Sequence, residues 1–379
     1  MPPDMPSVDD GGPLIELFAT SRYLARAGLD WKEFYARVLR YDEWPKLPYY
    51  SQHAAIFLLT LLPNVHYLEL PHKWEPVEET DKLLEAIVSE ARQPGAVERE
   101  RSLARVTHFK PYDRINWQAP TGNLETSVPF LALPNVRFFM AQGCRALGTE
   151  RMLLEPPDPY SHYGENLEAV NFYYCRIDSV AMAELLNHTQ RLRVLAYVHA
   201  SEENPGGQEW DVCSLIEAIG SGVGSHLEQL SLYAYHSHCP LTPGRASMRR
   251  FTALKKFQCP LQLAMRKRDD TATEDVTEQV LYGLVPATVS ELAWVVGGQL
   301  EDAVTTLRRV LDGLAAVKES RFPDLKVMQI SYNWDRHRPF PWSQDDLTRI
   351  SEEVERIGLR LIQDTTHGHE GGIQFDIPE

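Results

Sequence analysis

The pattern L-x-x-L-x-L, with conservative replacements, recurs along most of the chain. It occurs at Val65, Leu68 and Leu70 (NVHYLEL) and at Val136, Phe139 and Ala141 (NVRFFMA). It returns at Leu167, Val170 and Phe172, at Leu192, Leu195 and Tyr197, and at Leu227, Leu230 and Leu232. Further copies stand at Leu254, Phe257 and Cys259, at Val289, Leu292 and Trp294, and at Leu325, Met328 and Ile330. Leu103, Val106 and His108 (SLARVTHF) make a weaker copy after the first, and GLRLIQD at 358–364 is a truncated last one. Apolar residues two apart lie on one face of a strand, so each copy predicts a short strand with one face to bury.

Helical patterns lie between the copies. DSVAMAELLNHT (178–189) opens on Asp178 or Ser179 as N-cap, and SQDDLTRISEEVERIG (343–358) opens on a Ser-x-x-Asp cap and stops at Gly358. EDVTEQVLYGL (274–284) and LEDAVTTLRRVLDGLAAV (300–317) carry apolar residues at helical spacing. TDKLLEAIVSEAR (80–92) and WDVCSLIEAI (210–219) do the same earlier. Each unit is then one strand followed by one helix. A lone unit cannot cover its apolar face, so the units stack. The expected fold is an α/β solenoid, with a curved parallel sheet on the concave side and helices on the convex side.

Four segments follow. Residues 1–13 are acidic and Pro/Gly-rich and are expected to be disordered. Residues 14–62 read as helices (PLIELFATSRYLARAG, DWKEFYARVLR, SQHAAIFLLTLLPN) and form an N-terminal cap. Residues 63–364 hold the irregular repeats, and 365–379 form a tail. Of the 379 residues, 43% are hydrophobic, enough for a substantial core. Asp and Glu outnumber Lys and Arg by 53 to 38, which argues against a nucleic-acid backbone as partner. No apolar run is long enough to span a membrane, and the start lacks the basic and apolar regions of a signal peptide. The five cysteines are odd in number and scattered, which predicts reduced thiols in the cytoplasm or nucleus.

Eight residues after the first anchor, three copies carry Cys144, Cys175 and Asn333, and LEAVNFYYCRI matches L-x-x-L-x-L-x-x-C-x-L in full. This spacing resembles leucine-rich repeats, where that buried polar side chain bonds to backbone groups left free at the strand end. The chain as a whole looks like fungal F-box/leucine-rich-repeat proteins, with irregular repeats introduced by LLPNV and LALPNV. LFATSRYLARAGLDWKEFY (17–35) is similar to the second half of an F-box, while the Leu-Pro-x-Glu-Ile stretch that opens an F-box is missing. The resemblance implies that the helical segment docks on a Skp-type adaptor of a cullin ubiquitin ligase and that the repeats hold the substrate. It implies Leu17, Phe18, Tyr23, Leu24, Trp31 and Phe34 as adaptor-facing.

Within each copy the residues between the anchors point to the opposite, concave face. These are Tyr67, Glu69, Phe138, Met140, Asn171, Tyr173, Gln229, Ser231, Tyr233, Lys256, Gln258, Glu291 and Gln329. Four aromatic residues and a methionine on such a face mark protein or peptide binding.

No G-x-S-x-G, P-loop, G-x-G-x-x-G, H-E-x-x-H or EF-hand loop is present. His236, His238 and Cys239 suggest metal ligands, but PLTPGRASMRR downstream supplies no third or fourth partner, so they read as a loop. His367, His369 and Glu370 lie in the Gly-rich tail and read as a chance cluster. GSGVGSH (220–226) reads as a helix stop with Gly220 near C′. RKRDD (266–270) is a mixed-charge loop. WDRHRPFPW (334–342) reads as an aromatic loop closing the C-terminal end. The expectation is non-catalytic protein binding without a cofactor. Its rivals are a free-standing scaffold and an enzyme with a site near His236 and His238.

Overall fold

The computed structural model describes residues 12–39, 52–70, 74, 77–93, 101–111, 122–148, 160–200, 209–234, 239–242, 246–264, 281, 283–297, 303–333 and 342–364. The expectations of a disordered start and a C-terminal tail fall outside these residues, as do most of the 274–284 helix, RKRDD, and all of WDRHRPFPW except Trp342. The fold is α/β with a parallel sheet of about twelve strands. The chain forms two compact units. Unit 1 comprises Met1–Asp113, Glu125–Phe139 and Glu155–Asn166; unit 2 comprises Arg114–Leu124, Met140–Leu154 and Leu167–Glu379.

Unit 1 begins with four helices, α1 (Pro13–Ala19), α2 (Arg22–Arg26), α3 (Trp31–Leu39) and α4 (Gln52–Leu59). Ser21 caps α2 by accepting the Leu24 N–H, which leaves one fewer orphan donor at the helix start. Phe18 stacks on Phe57 with ring centroids 3.7 Å apart, and Tyr35 meets Phe18 edge-on at 5.1 Å. These rings, with Phe34, form a core of their own beside helix α5 (Glu78–Ala91). Arg22 and Arg26 both pair with Glu90 of α5, and the Tyr23 hydroxyl accepts the Ser102 N–H at 2.8 Å.

The strands of unit 1 are β1 (Tyr67–Glu69), β2 (His108–Lys110) and the start of β4 (Phe138–Gln142); β3 (Gly122–Asn123), which comes between β2 and β4 in the chain, belongs to unit 2. Tyr67 pairs with His108, and His108 with Phe138. Val65, Val106 and Val136 are therefore equivalent, as are Leu68, Phe109 and Phe139. The expected copy at Leu103, Val106 and His108 is out of register by three residues. Leu103 lies in a turn with φ 56°, which mimics an anchor in sequence, and His108 lies on the opposite face from Phe109. One backbone motif joins the units of the repeat. The His66 carbonyl accepts from the Thr107 and His108 amides, and the Thr107 carbonyl accepts from Arg137 and Phe138. A second set uses asparagine: Asn135 Nδ2 donates to the Ala104 carbonyl at 2.6 Å and Asn166 Nδ2 to the Pro134 carbonyl at 2.8 Å.

Unit 2 continues the scheme. Helix α6 (Val128–Leu131), which precedes β4, belongs to unit 1; in unit 2, β5 (Cys144–Ala146) pairs with β3 and with β6 (Ala169–Ile177). Then come α7 (Ser179–Asn187), β7 (Val194–His199), α8 (Val212–Gly222), β8 (Gln229–Ala234), β9 (Lys256–Pro260) and β10 (Glu291–Gly297). Helix α9 (Ala303–Arg321), β11 (Val327–Asn333), α10 (Gln344–Arg356) and β12 (Arg360–Asp364) complete it. From β6 to β12 each strand pairs in parallel with the next. The same carbonyl motif recurs: Glu168, Arg193, Glu228, Lys255 and Ser290 each accept from two consecutive amides of the following unit. The anchors at Leu195, Leu230, Phe257, Leu292 and Met328 are all buried.

Helix starts follow the sequence. Asp178 caps α7 and Asp211 caps α8, while Ser343 and Asp346 form a capping box on α10. Gly220 corrects an expectation: it lies inside α8, which runs to Gly222. Close packing favours glycine at both positions, since a Cβ at Gly220 would sit 3.1 Å from the Phe251 side chain and one at Gly222 2.9 Å from the Leu186 side chain. Among the described residues no helix is long and apolar enough to cross a membrane.

Candidate interaction face

The anchors bury one face of each strand, so the register lines up the other face in rows. In unit 1 the first row is Tyr67, His108 and Phe138. The Tyr67 and His108 rings lie 6.2 Å apart, and His108 stacks on Phe138 at 4.4 Å and 21°. Arg137 lies 5.6 Å over the Phe138 ring. Tyr67 is 55% exposed, while Phe138 is only 8% exposed, against the expectation of an open position. Ring packing in the row accounts for its cover. Burial first, and Arg137 second, lower the His108 pKa below the usual histidine value, so the row is uncharged at neutral pH. In the next row Glu69 pairs with Lys110 at 3.2 Å, and the two charges cancel.

In unit 2 the row equivalent to Tyr67, His108 and Phe138 is Ala169, Val194, Gln229, Lys256 and Glu291, and the row equivalent to Glu69 and Lys110 is made of small and amide side chains. Asn171, Ala196, Ser231, Gln258, Ala293 and Gln329 stand side by side through successive strands. Ser231 and Gln258 were expected on an open face, yet each is 2% exposed. Their burial is tolerated because the Ser231 hydroxyl donates to Gln258 Oε1 at 2.6 Å. Gln329 Nε2 donates to the Ser331 hydroxyl at 3.1 Å. Asn171, Tyr173, Gln229, Tyr233 and Met140 are half-buried, and Lys256 pairs with Glu291 at 3.5 Å along the row outside them.

At the ninth position of the pattern, Cys175 is fully buried. Its thiol reaches the Ala141 carbonyl at 3.5 Å and the Tyr173 carbonyl at 3.4 Å, and its sulfur accepts the Cys144 amide at 3.4 Å. The side chain thus bonds to backbone at the ends of neighbouring strands, and burial pushes its thiol pKa up. Cys144 is buried as well; the Asn333 side chain lies outside the described residues.

Beyond β6 and β7 lies a cluster that sequence reading missed. The Tyr197 hydroxyl accepts the Ile177 amide at 3.0 Å and lies 3.1 Å from the Cys175 carbonyl and from His199 Nδ1. The His199 ring stacks on Trp210 at 4.8 Å and 3°. Burial, with Arg176 acting in the same direction, pushes the His199 pKa down to about 3. The cluster is neutral and enclosed, so it ties strand ends together. Its sequence signal was His199 at the inward parity of VLAYVH.

His236 and His238 lie outside the described residues. Cys239 is buried, with its thiol on the Pro240 carbonyl at 3.8 Å. Among the described residues no group of three His, Cys, Asp or Glu side chains is placed to hold a metal. Of the residues carried over as adaptor-facing, Phe18, Tyr23, Leu24 and Phe34 are buried in unit 1, Trp31 is half-buried and Leu17 is exposed. Phe18 and Phe34 pack with Tyr35 and Phe57 in the helical core. Leu14, Leu39 and Leu58 are exposed leucines of these helices, and Leu61 is exposed in the turn after α4. Compared with protein-family models and with curated proteins, the chain matches none.

Proposed function

We propose that this chain is a non-catalytic protein-binding protein whose strands line the concave side of a leucine-rich-repeat solenoid. The carrying observation is the row Tyr67, His108 and Phe138, an aromatic strip that begins on a 55% exposed tyrosine. Exposed aromatic residues on a rigid strand face are favoured anchors for a partner. A neutral imidazole and a cancelled Glu69–Lys110 pair favour an apolar or aromatic side chain of the partner over an ion. The finer reading is recruitment of that partner to a cullin-type ubiquitin ligase in the cytoplasm or nucleus. It rests on the likeness of residues 17–35 to an F-box, with Leu14 and Leu17 as the exposed apolar residues of α1. The burial of Phe18, Tyr23, Leu24 and Phe34 favours a second reading, a binding protein without a ligase.

Affinity purification of the chain from its native cell, read by mass spectrometry, tests both. Tyr67→Ala with His108→Ala should cut recovery of the bound partner at least about tenfold. Unchanged recovery would reject the face as the binding site. A Skp-type adaptor and cullin among the recovered proteins would support the ligase reading, and partners without them the second.

A further inference from the structure

Three successive helix-to-strand turns of unit 2 enclose a cavity of about 280 Å³. Residues 248–252, before β9, form one wall, and residues 283–288, before β10, form the second. Arg321, the last residue of α9, and Phe322 form the third. Backbone bonds hold these turns. The Met248 amide donates to the Gly283 carbonyl at 2.8 Å, which ties the first wall to the second. The Phe251 amide donates to the Met248 carbonyl at 3.0 Å and the Phe322 amide to the Lys318 carbonyl at 2.8 Å. The Thr288 hydroxyl donates to the Leu254 carbonyl at 2.8 Å. A site whose walls are fixed in advance loses little freedom when a ligand enters.

The lining divides by polarity. Met248, Phe251, Val285, Pro286 and Phe322 are apolar and buried, and they make the floor. Arg249 and Arg321 are exposed, so they meet a ligand from the solvent side. They are the ionisable residues of the lining, and no carboxylate is among the described residues there. An all-cationic lining runs against the chain as a whole, whose net charge is −15. The larger cavity between α9 and α10 differs, because Asp312, Glu319 and Glu353 line it together with Lys318 and Arg356 and offset their charge. We propose that the cavity on residues 248–252, 283–288, Arg321 and Phe322 binds a small aromatic carboxylate. A guanidinium presents a planar fork of donors that matches a carboxylate, and its charge does not titrate near neutral pH. A ring in the floor meets the Phe251 and Phe322 rings and the Met248 sulfur, both favourable contacts for an aromatic. An apolar floor with a few polar groups is the make-up of small-molecule sites, and the volume lies at their small end, which suits a ligand of one ring.

A ligand-observed NMR titration of the full chain with phenylacetate tests this. Its ten or so non-hydrogen atoms support a dissociation constant on the order of 1 mM. Phenylacetamide has the same shape without the charge and should bind at least about tenfold more weakly. Arg249→Gln with Arg321→Gln should weaken phenylacetate about tenfold, with the thermal midpoint little changed because both side chains are exposed. Ala287→Leu adds bulk from an exposed position of the wall and should weaken binding at least about tenfold while leaving both arginines in place. Absence of saturable binding up to about 10 mM phenylacetate would overturn the proposal. So would phenylacetamide binding as tightly as phenylacetate, or variants at Arg249 and Arg321 and at Ala287 that bind as the wild type does.

Discussion

The open strand face differs between the two units, although the buried face beneath is built alike. Unit 1 sets aromatic rings on it, Tyr67, His108 and Phe138, and leaves the first exposed. Unit 2 sets Val194, Gln229, Lys256 and Glu291 at the equivalent positions, none of them aromatic, and buries Ala196, Ser231, Gln258 and Ala293 in the row beside them. Beneath, Phe109 in unit 1 and Phe257 in unit 2 occupy the same repeat position, and each is almost wholly buried. The fold is thus carried by the anchors, and the opposite face is free to vary. Recognition chemistry belongs where the variation leaves rings exposed.

The largest effect tests whether the anchors are equivalent. Phe109→Ala and Phe257→Ala should each cost about 3–5 kcal/mol of stability, the usual range for emptying a buried aromatic site. Hydrogen exchange read separately on peptides from the two units would show where each loss falls. A cost below about 1 kcal/mol for one of them would mean that the shared register hides different packing.

A smaller effect depends on pH and separates the units. His199 of unit 2 is neutral in the fold, with its pKa pushed down to about 3 by burial. The unfolded chain takes up that proton near pH 6.5, so the stability is fully present above that pH and is lost as pH falls towards 3. Between pH 6.5 and 5 unit 2 should lose up to about 1.4 kcal/mol per pH unit, and His199→Asn should remove most of that slope. In unit 1, burial also lowers His53 and His108, but both are less enclosed. A His199→Asn variant as acid-sensitive as wild type would sink this account.

The anchors from Leu167 to Ile330 were legible because an apolar strand face repeats in sequence wherever it repeats in space. The copy at Leu103 misled because an apolar residue in a turn with φ 56° is indistinguishable, by type, from one on a strand. The ninth-position cysteines were legible too, since Cys175 bonds to backbone of neighbouring strands. Ser231 and Gln258 were misread because the alternation of a strand gives direction and says nothing of cover. Their burial needs each other, and that pairing crosses two strands far apart in sequence. Phe18 and Phe34, which the resemblance implies as adaptor-facing, pack on Phe57, a contact between helices that the residues of 17–35 alone do not show.

The smallest effects sharpen the contrast most directly, because they fall on the face itself. Ser231→Ala removes the only hydroxyl donor to Gln258 Oε1 among the described residues, and leaves a buried acceptor unpaired. That should cost about 1–2 kcal/mol in chemical denaturation. Tyr67→Ala removes a ring that is more than half exposed and should change stability by less than about 0.5 kcal/mol. The order reverses for partner capture, where Tyr67→Ala should be the damaging change and Ser231→Ala silent. A Tyr67→Ala protein that is both destabilised and binding-deficient would make the row a structural element. A stable protein that no longer captures its partner would make it the recognition surface.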